Sequence, residues 1–182
     1  MTYQELSALA QSAGFTAWAA LDTATIELKP QVRDMCAANA CGQYGKRWSC
    51  PPGCGTLDEC AQRLRPFPGG ILVQTCGSIE DSFDFEALQR IEALHKAHFS
   101  EMQEALAQKG VRFLPLGAGC CTICPVCSYP DAPCRFPDRA VASMEAYGMV
   151  VLEVCRANGL PYYYGADKLA YTGCFLIEGG TP

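Results

Sequence analysis

The sequence has no apolar run approaching the ~18 residues that a membrane-spanning helix requires. Basic residues are also scarce, because 14 Lys and Arg stand against 19 Asp and Glu, which gives a net charge of −5. This balance argues against nucleic acid or an anionic membrane as the main partner. The first residues, Met1–Leu6, have neither the basic nor the apolar part of a secretory signal. We therefore expect a cytoplasmic protein.

Cysteine, in contrast, is abundant, with 13 in 182 residues. The number is odd, and in a reducing compartment clustered cysteines act as metal ligands or redox groups more often than as disulfides. The length suits one substantial hydrophobic core. We expect a single metal-binding domain, residues 1–182, with cysteine-rich segments at residues 33–60 and 117–137.

The segment 117–137 has the spacing of a metal-binding loop. Cys121, Cys124 and Cys127 are each separated by two residues, and Cys134 follows after six more. One loop can therefore turn three thiolates toward a common centre and close the site with a fourth. Such triplets are typical of iron–sulfur proteins, although the last gap is longer than in the bacterial ferredoxin pattern.

The segment 33–60 holds a second set of cysteines, whose spacing is less regular. Cys36, Cys41, Cys50, Cys54 and Cys60 offer five thiols for four ligand places, so spacing leaves the ligand set open. We call these five cysteines the first group and the cysteines of 117–137 the second group. Nearby glycines permit the tight turns that bring backbone amides close to sulfur.

Basic side chains accompany both groups and could offset the charge of neighbouring thiolates, although ordinary solvated surface explains any one of them equally well. These residues are Arg33, Lys46, Arg47, Arg135 and Arg139.

The choice of metal follows from the triplet in the second group. Structural zinc favours two CxxC pairs brought together from a distance, whereas the middle cysteine of CxxCxxC would be shared or wasted in such a site. We therefore favour iron–sulfur over structural zinc, and zinc over a disulfide or dithiol role. The specific prediction is two [4Fe-4S] clusters, one for each group.

Hydrophobic periodicity predicts an α/β or α+β fold, in which helices cover a small mixed β-sheet. A long irregular stretch is expected from Arg33 to Pro52. The predicted helices are Tyr3–Ala13, Leu57–Leu64, Phe85–Lys109, Pro137–Tyr147 and Val150–Ala157. The predicted strands are Phe15–Leu21, Ile71–Cys76, Val111–Leu116 and Tyr171–Ile177.

Other chemically active side chains are better explained by packing. Cys76, Cys155 and Cys174 lie in apolar patterns and behave as small hydrophobic residues there. His95 and His98 are three residues apart on the long helix, where half-buried packing is favoured over ligand or proton-transfer roles. The aromatic run 162–164 is expected to be core.

Several segments together resemble a bacterial and archaeal family of cysteine-rich predicted metal-binding proteins, a domain of unknown function. The segments that carry the resemblance are Cys36–Cys41, Tyr44–Pro52, Gly117–Gly119, Cys121–Cys127, Tyr129–Pro130, Pro133–Pro137 and Ser143–Gly148. The resemblance covers nearly the whole chain.

The resemblance implies two sets of metal ligands. These are Cys36, Cys41, Cys50 and Cys60 for one site, and Cys121, Cys124, Cys127 and Cys134 for the other. Cys54 and Cys120 are additional cysteines, which leaves the exact choice of ligand open. The resemblance implies no particular reaction.

Three functions are compatible with these observations. The favoured one is an iron–sulfur protein that exchanges electrons with a redox partner protein in anaerobic metabolism. The second is a cluster-dependent enzyme that acts on a small molecule. The third is a module in which structural zinc ions hold an interaction surface together.

Overall fold

The structure is a computed structural model that describes residues 1–180, so the last two residues of the predicted domain lie outside the described residues. A five-stranded mixed sheet forms the centre of the described part of the chain. The strands are β1 (Ala17–Asp22), β2 (Gly69–Ser78), β3 (Phe113–Gly117), β4 (Ala142–Ser143) and β5 (Lys168–Ile177). Their order is β1-β2-β5-β3-β4, in which β3 and β4 are parallel and the other neighbours antiparallel. The predicted mixed sheet is confirmed.

Five α-helices surround the sheet within the same residues. They are α1 (Tyr3–Ser12), α2 (Pro30–Ala37), α3 (Leu57–Leu64), α4 (Phe85–Gln108) and α5 (Val151–Ala157). Thr56 and Glu59 form a capping box that starts α3, and the side chain of Asp84 accepts the Ala87 N–H at the start of α4. No helix in residues 1–180 is both long and apolar enough to cross a membrane.

Both faces of the sheet are buried, which explains the nearly continuous apolar runs of β2 and β5. Ile71 and Val73 of β2 pack with Phe175 of β5 on the face covered by α1 and α4. Leu72 and Cys174 point to the opposite face, where α3 and α5 pack. Each large apolar side chain buried in these layers stabilises the fold by roughly 1.5–3 kcal/mol.

Two segments differ from the sequence predictions. The helix α2 begins at Pro30 and extends into the stretch predicted to be irregular, because proline is well suited to the first position of a helix. The predicted helix Pro137–Tyr147 is wrong. Its place is taken by turns, by β4 and by a 3₁₀ turn at Glu145–Tyr147, because β4 pairs with the end of β3.

The buried face of α4 does not include every apolar residue of the helix. Phe85 and Leu94 are 66% and 47% exposed, whereas His95 and Phe99 are buried. Tertiary contacts with β2 and β5 therefore select the face of this long amphipathic helix.

The structure separates the cysteines and tyrosines predicted to lie in the core. Cys155 and Cys174 are fully buried, as predicted, and Cys76 is half-buried. The prediction that the aromatic run is core is wrong for Tyr162 and Tyr163, which are exposed.

Candidate metal centre

The loop that follows β3 brings four thiols of the second group around one small cavity. β3 ends at Gly117, and the chain runs through the loop before it returns as β4 beside the end of β3. The four cysteines on the cavity wall are Cys121, Cys124, Cys127 and Cys134. All four are half-buried, so the cavity lies close to the protein surface.

Internal hydrogen bonds fix the shape of this loop. The Arg135 guanidinium donates to the carbonyl oxygen of Val126 at 2.9 Å, and the Ser128 hydroxyl donates to that of Pro133 at 2.7 Å. Both bonds join the part of the loop that holds the CxxCxxC triplet to the part that holds Cys134. The fourth thiol is thereby kept on the same cavity despite its longer spacing.

A short piece of the first cysteine-rich segment, Arg47–Ser49, forms the other wall of the same cavity. The Arg47 guanidinium donates to the carbonyl oxygen of Cys121 at 2.9 Å, and the backbone N–H of Cys121 donates to the Ser49 hydroxyl at 3.2 Å. The two cysteine-rich segments, which the sequence presents as separate sites, therefore meet at this point.

The indole of Trp48 completes this contact. Its N–H donates to the carbonyl oxygen of Ala132 at 3.0 Å. Its ring meets Tyr129 edge to face, with ring centroids 4.9 Å apart. Sequence reasoning noted the charge of Arg47 but missed the contacts of Trp48 and Ser49, although both lie in a segment that carries the family resemblance.

The cavity favours the ionised form of at least one thiol. Burial acts to raise the pKa of Cys127, but hydrogen bonds from the backbone N–H groups of Trp48, Tyr129 and Ser128, together with the Arg47 charge, outweigh it. The pKa of Cys127 is therefore below its usual value. Such N–H donors also stabilise sulfur that is bound to a metal.

The first group is arranged differently, because its thiols are distributed over two helices and the connection between them. Cys36 lies on α2 and Cys60 on α3, and Cys60 is fully buried. Cys41 is exposed, and Cys50 is half-buried. Burial is the main cause that raises the pKa of Cys36. Burial also raises the pKa of Cys50, to about 11.

Cys54, which the family resemblance leaves as an additional cysteine, lies next to Cys60 in the interior. Both sulfurs approach the Arg33 guanidinium, at 3.7 Å for Cys54 and 3.8 Å for Cys60. The same guanidinium donates to the carbonyl oxygens of Ala146 at 2.7 Å and Gly55 at 2.6 Å. Arg33 is therefore an internal counter-charge and not solvated surface.

The pKa values of Cys54 and Cys60 are shifted in opposite directions. A hydrogen bond from Cys54 lowers the pKa of Cys60 to about 7, and the charges of Arg33 and Arg63 act in the same direction. The same hydrogen bond and burial raise the pKa of Cys54. The neighbouring thiol and the two guanidinium groups therefore favour ionisation of Cys60 over that of Cys54.

Thiol chemistry makes the second group suitable for a soft metal. Four sulfur donors on one cavity, with amide and guanidinium groups beside them, match the ligand preference of iron–sulfur clusters and of zinc. Across residues 1–180, however, no three Cys, His, Asp or Glu side chains are close enough together to hold a single metal ion.

The fold and the four-thiol cavity define a cysteine-rich α/β protein with a candidate metal centre at the end of its sheet. The chain belongs to the family described as predicted metal-binding protein (DUF2284), which it matches over residues 19–177. This match confirms the family resemblance seen in the sequence. No curated protein and no solved structure shows significant similarity to the chain.

Proposed function

We propose that the second group binds an iron–sulfur cluster and that the protein transfers electrons through it. The observation that carries the proposal is that Cys121, Cys124, Cys127 and Cys134 line one cavity. A zinc ion with bonds of about 2.3 Å requires its sulfurs only about 3.8 Å apart. A cluster is bound by more widely separated thiolates, and the CxxCxxC spacing of this loop is typical of cluster ligands.

The surroundings of the cavity support a redox role. When bound, a cluster supplies a one-electron couple whose potential depends on hydrogen bonds to sulfur, local charge and exposure. The N–H groups directed at Cys127 and the Arg47 guanidinium stabilise the more negative, reduced state.

The position of the cavity supports exchange of electrons with a redox partner protein. Val126, inside the CxxCxxC triplet, is 77% exposed, and Phe136, just after Cys134, is 41% exposed. Exposed apolar side chains next to a redox centre give a partner a surface on which to dock. A partner that docks there reaches the centre over a short distance.

The proposal extends to a second [4Fe-4S] cluster at Cys36, Cys41, Cys50 and Cys60. Its support is the pKa of Cys60, which the neighbouring Cys54 thiol and the charges of Arg33 and Arg63 lower to about 7. Cys54 competes for this site, because it is hydrogen-bonded to Cys60.

The test is metal analysis of protein purified without oxygen. We expect brown protein that absorbs broadly near 400 nm, contains about four irons and about four sulfides for each cluster, and becomes paramagnetic when dithionite reduces it. Reduction and reoxidation should be reversible. Colourless protein that contains stoichiometric zinc would refute the cluster and the electron-transfer role together.

A second candidate function, a cluster-dependent enzyme, is favoured by a separate observation. A cavity of about 270 Å³ lies beside the metal centre, and Cys120 and Cys121 form part of its wall. A ligand in this cavity would lie next to the cluster. A small molecule that changes the paramagnetic resonance spectrum of the reduced protein would favour catalysis over simple electron transfer.

A further inference from the structure

The two cysteine groups meet through one short segment of the chain, Arg47–Cys50. Its first three residues form a wall of the four-thiol cavity of the second group. Its last residue is a cysteine of the first group. No linker separates the two candidate sites, because the residue that follows the wall of one is itself a proposed ligand of the other.

The Ser49 hydroxyl lies between cysteines of the two groups. It accepts the backbone N–H of Cys121 at 3.2 Å, and its oxygen is 4.0 Å from the sulfur of Cys50. The backbone N–H of Trp48, one residue earlier, donates to the sulfur of Cys127. Single contacts therefore join two cysteines of the second group to the segment that carries Cys50.

Charges of this region act on thiols of both groups. Burial is the main cause that raises the pKa of Cys50, while among the smaller effects the charge of Cys120 raises it and that of Arg47 lowers it. The Arg47 charge also helps backbone N–H donors to lower the pKa of Cys127 against the effect of burial. Charges more than about 10 Å apart are largely screened in salt solution. One guanidinium is therefore close to both groups.

The contact between the groups is tightly packed. The N–H of Cys50 donates to the carbonyl oxygen of Arg47 at 3.2 Å, and the N–H of Cys54 donates to that of Cys50 at 3.0 Å. A methyl group at Gly53 would lie 2.5 Å from the Arg47 carbonyl oxygen and 3.0 Å from the Tyr129 ring. Packed atoms do not approach so closely, so this position requires glycine. The turn therefore holds Cys50 firmly against the loop of the second group.

We propose that metal sites at the two cysteine groups exchange electrons directly across the contact made by Arg47–Cys50. The inference rests on the proposed function, because it requires a cluster at each group. In the step, one electron leaves the reduced site and reaches the oxidised site. No covalent bond forms or breaks, and no proton has to move.

Both groups also reach the protein surface. Cys41 of the first group is exposed, and Val126, inside the triplet of the second group, is 77% exposed. An electron can therefore enter beside one group and leave beside the other. Direct exchange makes the protein an internal relay with two redox centres, and the two groups are then parts of one electron path.

The test is paramagnetic resonance of the whole protein, purified without oxygen and fully reduced with dithionite. Cys124→Ala and Cys36→Ala, each of which removes one proposed ligand, supply the spectra of the separate centres. We expect the wild-type spectrum to be broadened and split relative to the sum of the two variant spectra, because neighbouring unpaired spins interact. Half-reduced wild-type protein should show less of this splitting, and this comparison needs no variant. A fully reduced wild-type spectrum without splitting would overturn the proposal.

The key variant is Gly53→Ala, which crowds the contact without replacing a cysteine. We expect it to keep the wild-type iron content and to lose most of the splitting, because the added methyl group forces the segment and the Tyr129 ring apart. Gly42→Ala is the matched control. Its added methyl group has no atom within 4 Å, so the splitting should stay as in the wild type. Full splitting in Gly53→Ala would show that Arg47–Cys50 is not the contact between the sites.

Iron analysis of the same samples separates this inference from the proposed function. Wild-type protein without clusters would refute the proposed function and the inference together. Protein with about eight irons, the content of two clusters, whose reduced spectra simply add would refute the inference alone. About four irons, held only by the second group, would also refute the inference and would leave electron transfer through that group intact.

Discussion

The two cysteine groups show two ways of bringing thiols together. In the second group one loop places four half-buried thiols on a single cavity near the surface. In the first group the thiols come from α2, α3 and the segment between them, and their exposure ranges from exposed Cys41 to fully buried Cys60. Short spacing confines sulfur atoms to one region, whereas long spacing leaves their positions to the fold.

The difference is also electrostatic. Backbone N–H groups stabilise a thiolate at Cys127, whereas Arg33 and a neighbouring thiol stabilise one at Cys60. The first arrangement suits a bound metal cluster that exchanges electrons near the surface. In the second arrangement the two thiols are also part of the interior. The Arg33 guanidinium contacts both sulfurs and donates to the carbonyl oxygens of Gly55 and Ala146.

The largest effect should come from Cys124→Ala, which tests whether the two groups bind metal independently. We expect anaerobically purified variant to lose about four irons, the content of one cluster, while any cluster at the first group is retained. Iron and sulfide analysis measures the loss. Cys76→Ala, which changes a half-buried cysteine outside both groups, is the control and should keep the wild-type iron content. An unchanged iron content in Cys124→Ala would show that the site is wrongly assigned.

The second largest effect should come from Arg33→Met, which removes the counter-charge of the first group. We expect the free energy of unfolding to fall by about 3 kcal/mol, because the sulfurs of Cys54 and Cys60 and two carbonyl oxygens lose their donor. Urea unfolding under reducing, oxygen-free conditions measures the change.

Arg90→Met, at an exposed position of α4, is the matched control for this variant and should change stability little. Equal stabilities of Arg33→Met and Arg90→Met would show that Arg33 is ordinary surface after all.

A smaller effect distinguishes the thiols of the two groups in metal-free, reduced protein. At pH 7.5, Cys127 should react with iodoacetamide at least about tenfold faster than Cys50, because only the thiolate is nucleophilic. The Cys127 pKa lies below its usual value, and the Cys50 pKa is raised to about 11, so a larger fraction of Cys127 is ionised.

Peptide mapping by mass spectrometry gives the two alkylation rates, and the rates should converge in urea. Faster reaction of Cys50 in the folded protein would reverse the electrostatic distinction between the groups.

The smallest effect should come from Ser49→Ala, which weakens the contact between the groups without replacing any of the proposed cysteine ligands. Ser49 accepts the Cys121 N–H, and its oxygen lies 4.0 Å from the Cys50 sulfur. We expect a loss of about 1 kcal/mol in the free energy of unfolding.

Thermal unfolding of the metal-free protein measures the Ser49→Ala effect, with Ser100→Ala at an exposed position as control. A loss no larger than that of the control would mean that this hydrogen bond does not hold the two segments together.

Much of the fold could be predicted because its signals are local. The capping box at Thr56 and the apolar period of α4 each specify an element within a few residues of sequence. Local signals were not enough at two places. The sequence prediction missed the helix that begins at Pro30, and it placed a helix at Pro137 that does not form. A segment such as Ala142–Ser143 becomes a strand only because the end of β3 lies beside it.

The candidate site was likewise predictable only in part from the sequence. The CxxCxxC spacing indicated which thiols belong to the second group, and nothing in the sequence showed that Arg47, Trp48 and Ser49 would form the opposite wall. Nor could spacing show that Cys54 lies beside Cys60, or that His95 turns into the core while Leu94 faces solvent.

The sequence by itself determined which reactive groups are present: many thiols, few imidazoles, a net charge of −5 and one dense cysteine loop. Tertiary structure alone decided which thiols have lowered pKa values and which surfaces meet them. The physical reason is that pKa values and cavities depend on burial and on charges from distant parts of the chain. Residues 33 and 60, or 49 and 121, become neighbours only when the sheet and its helices pack.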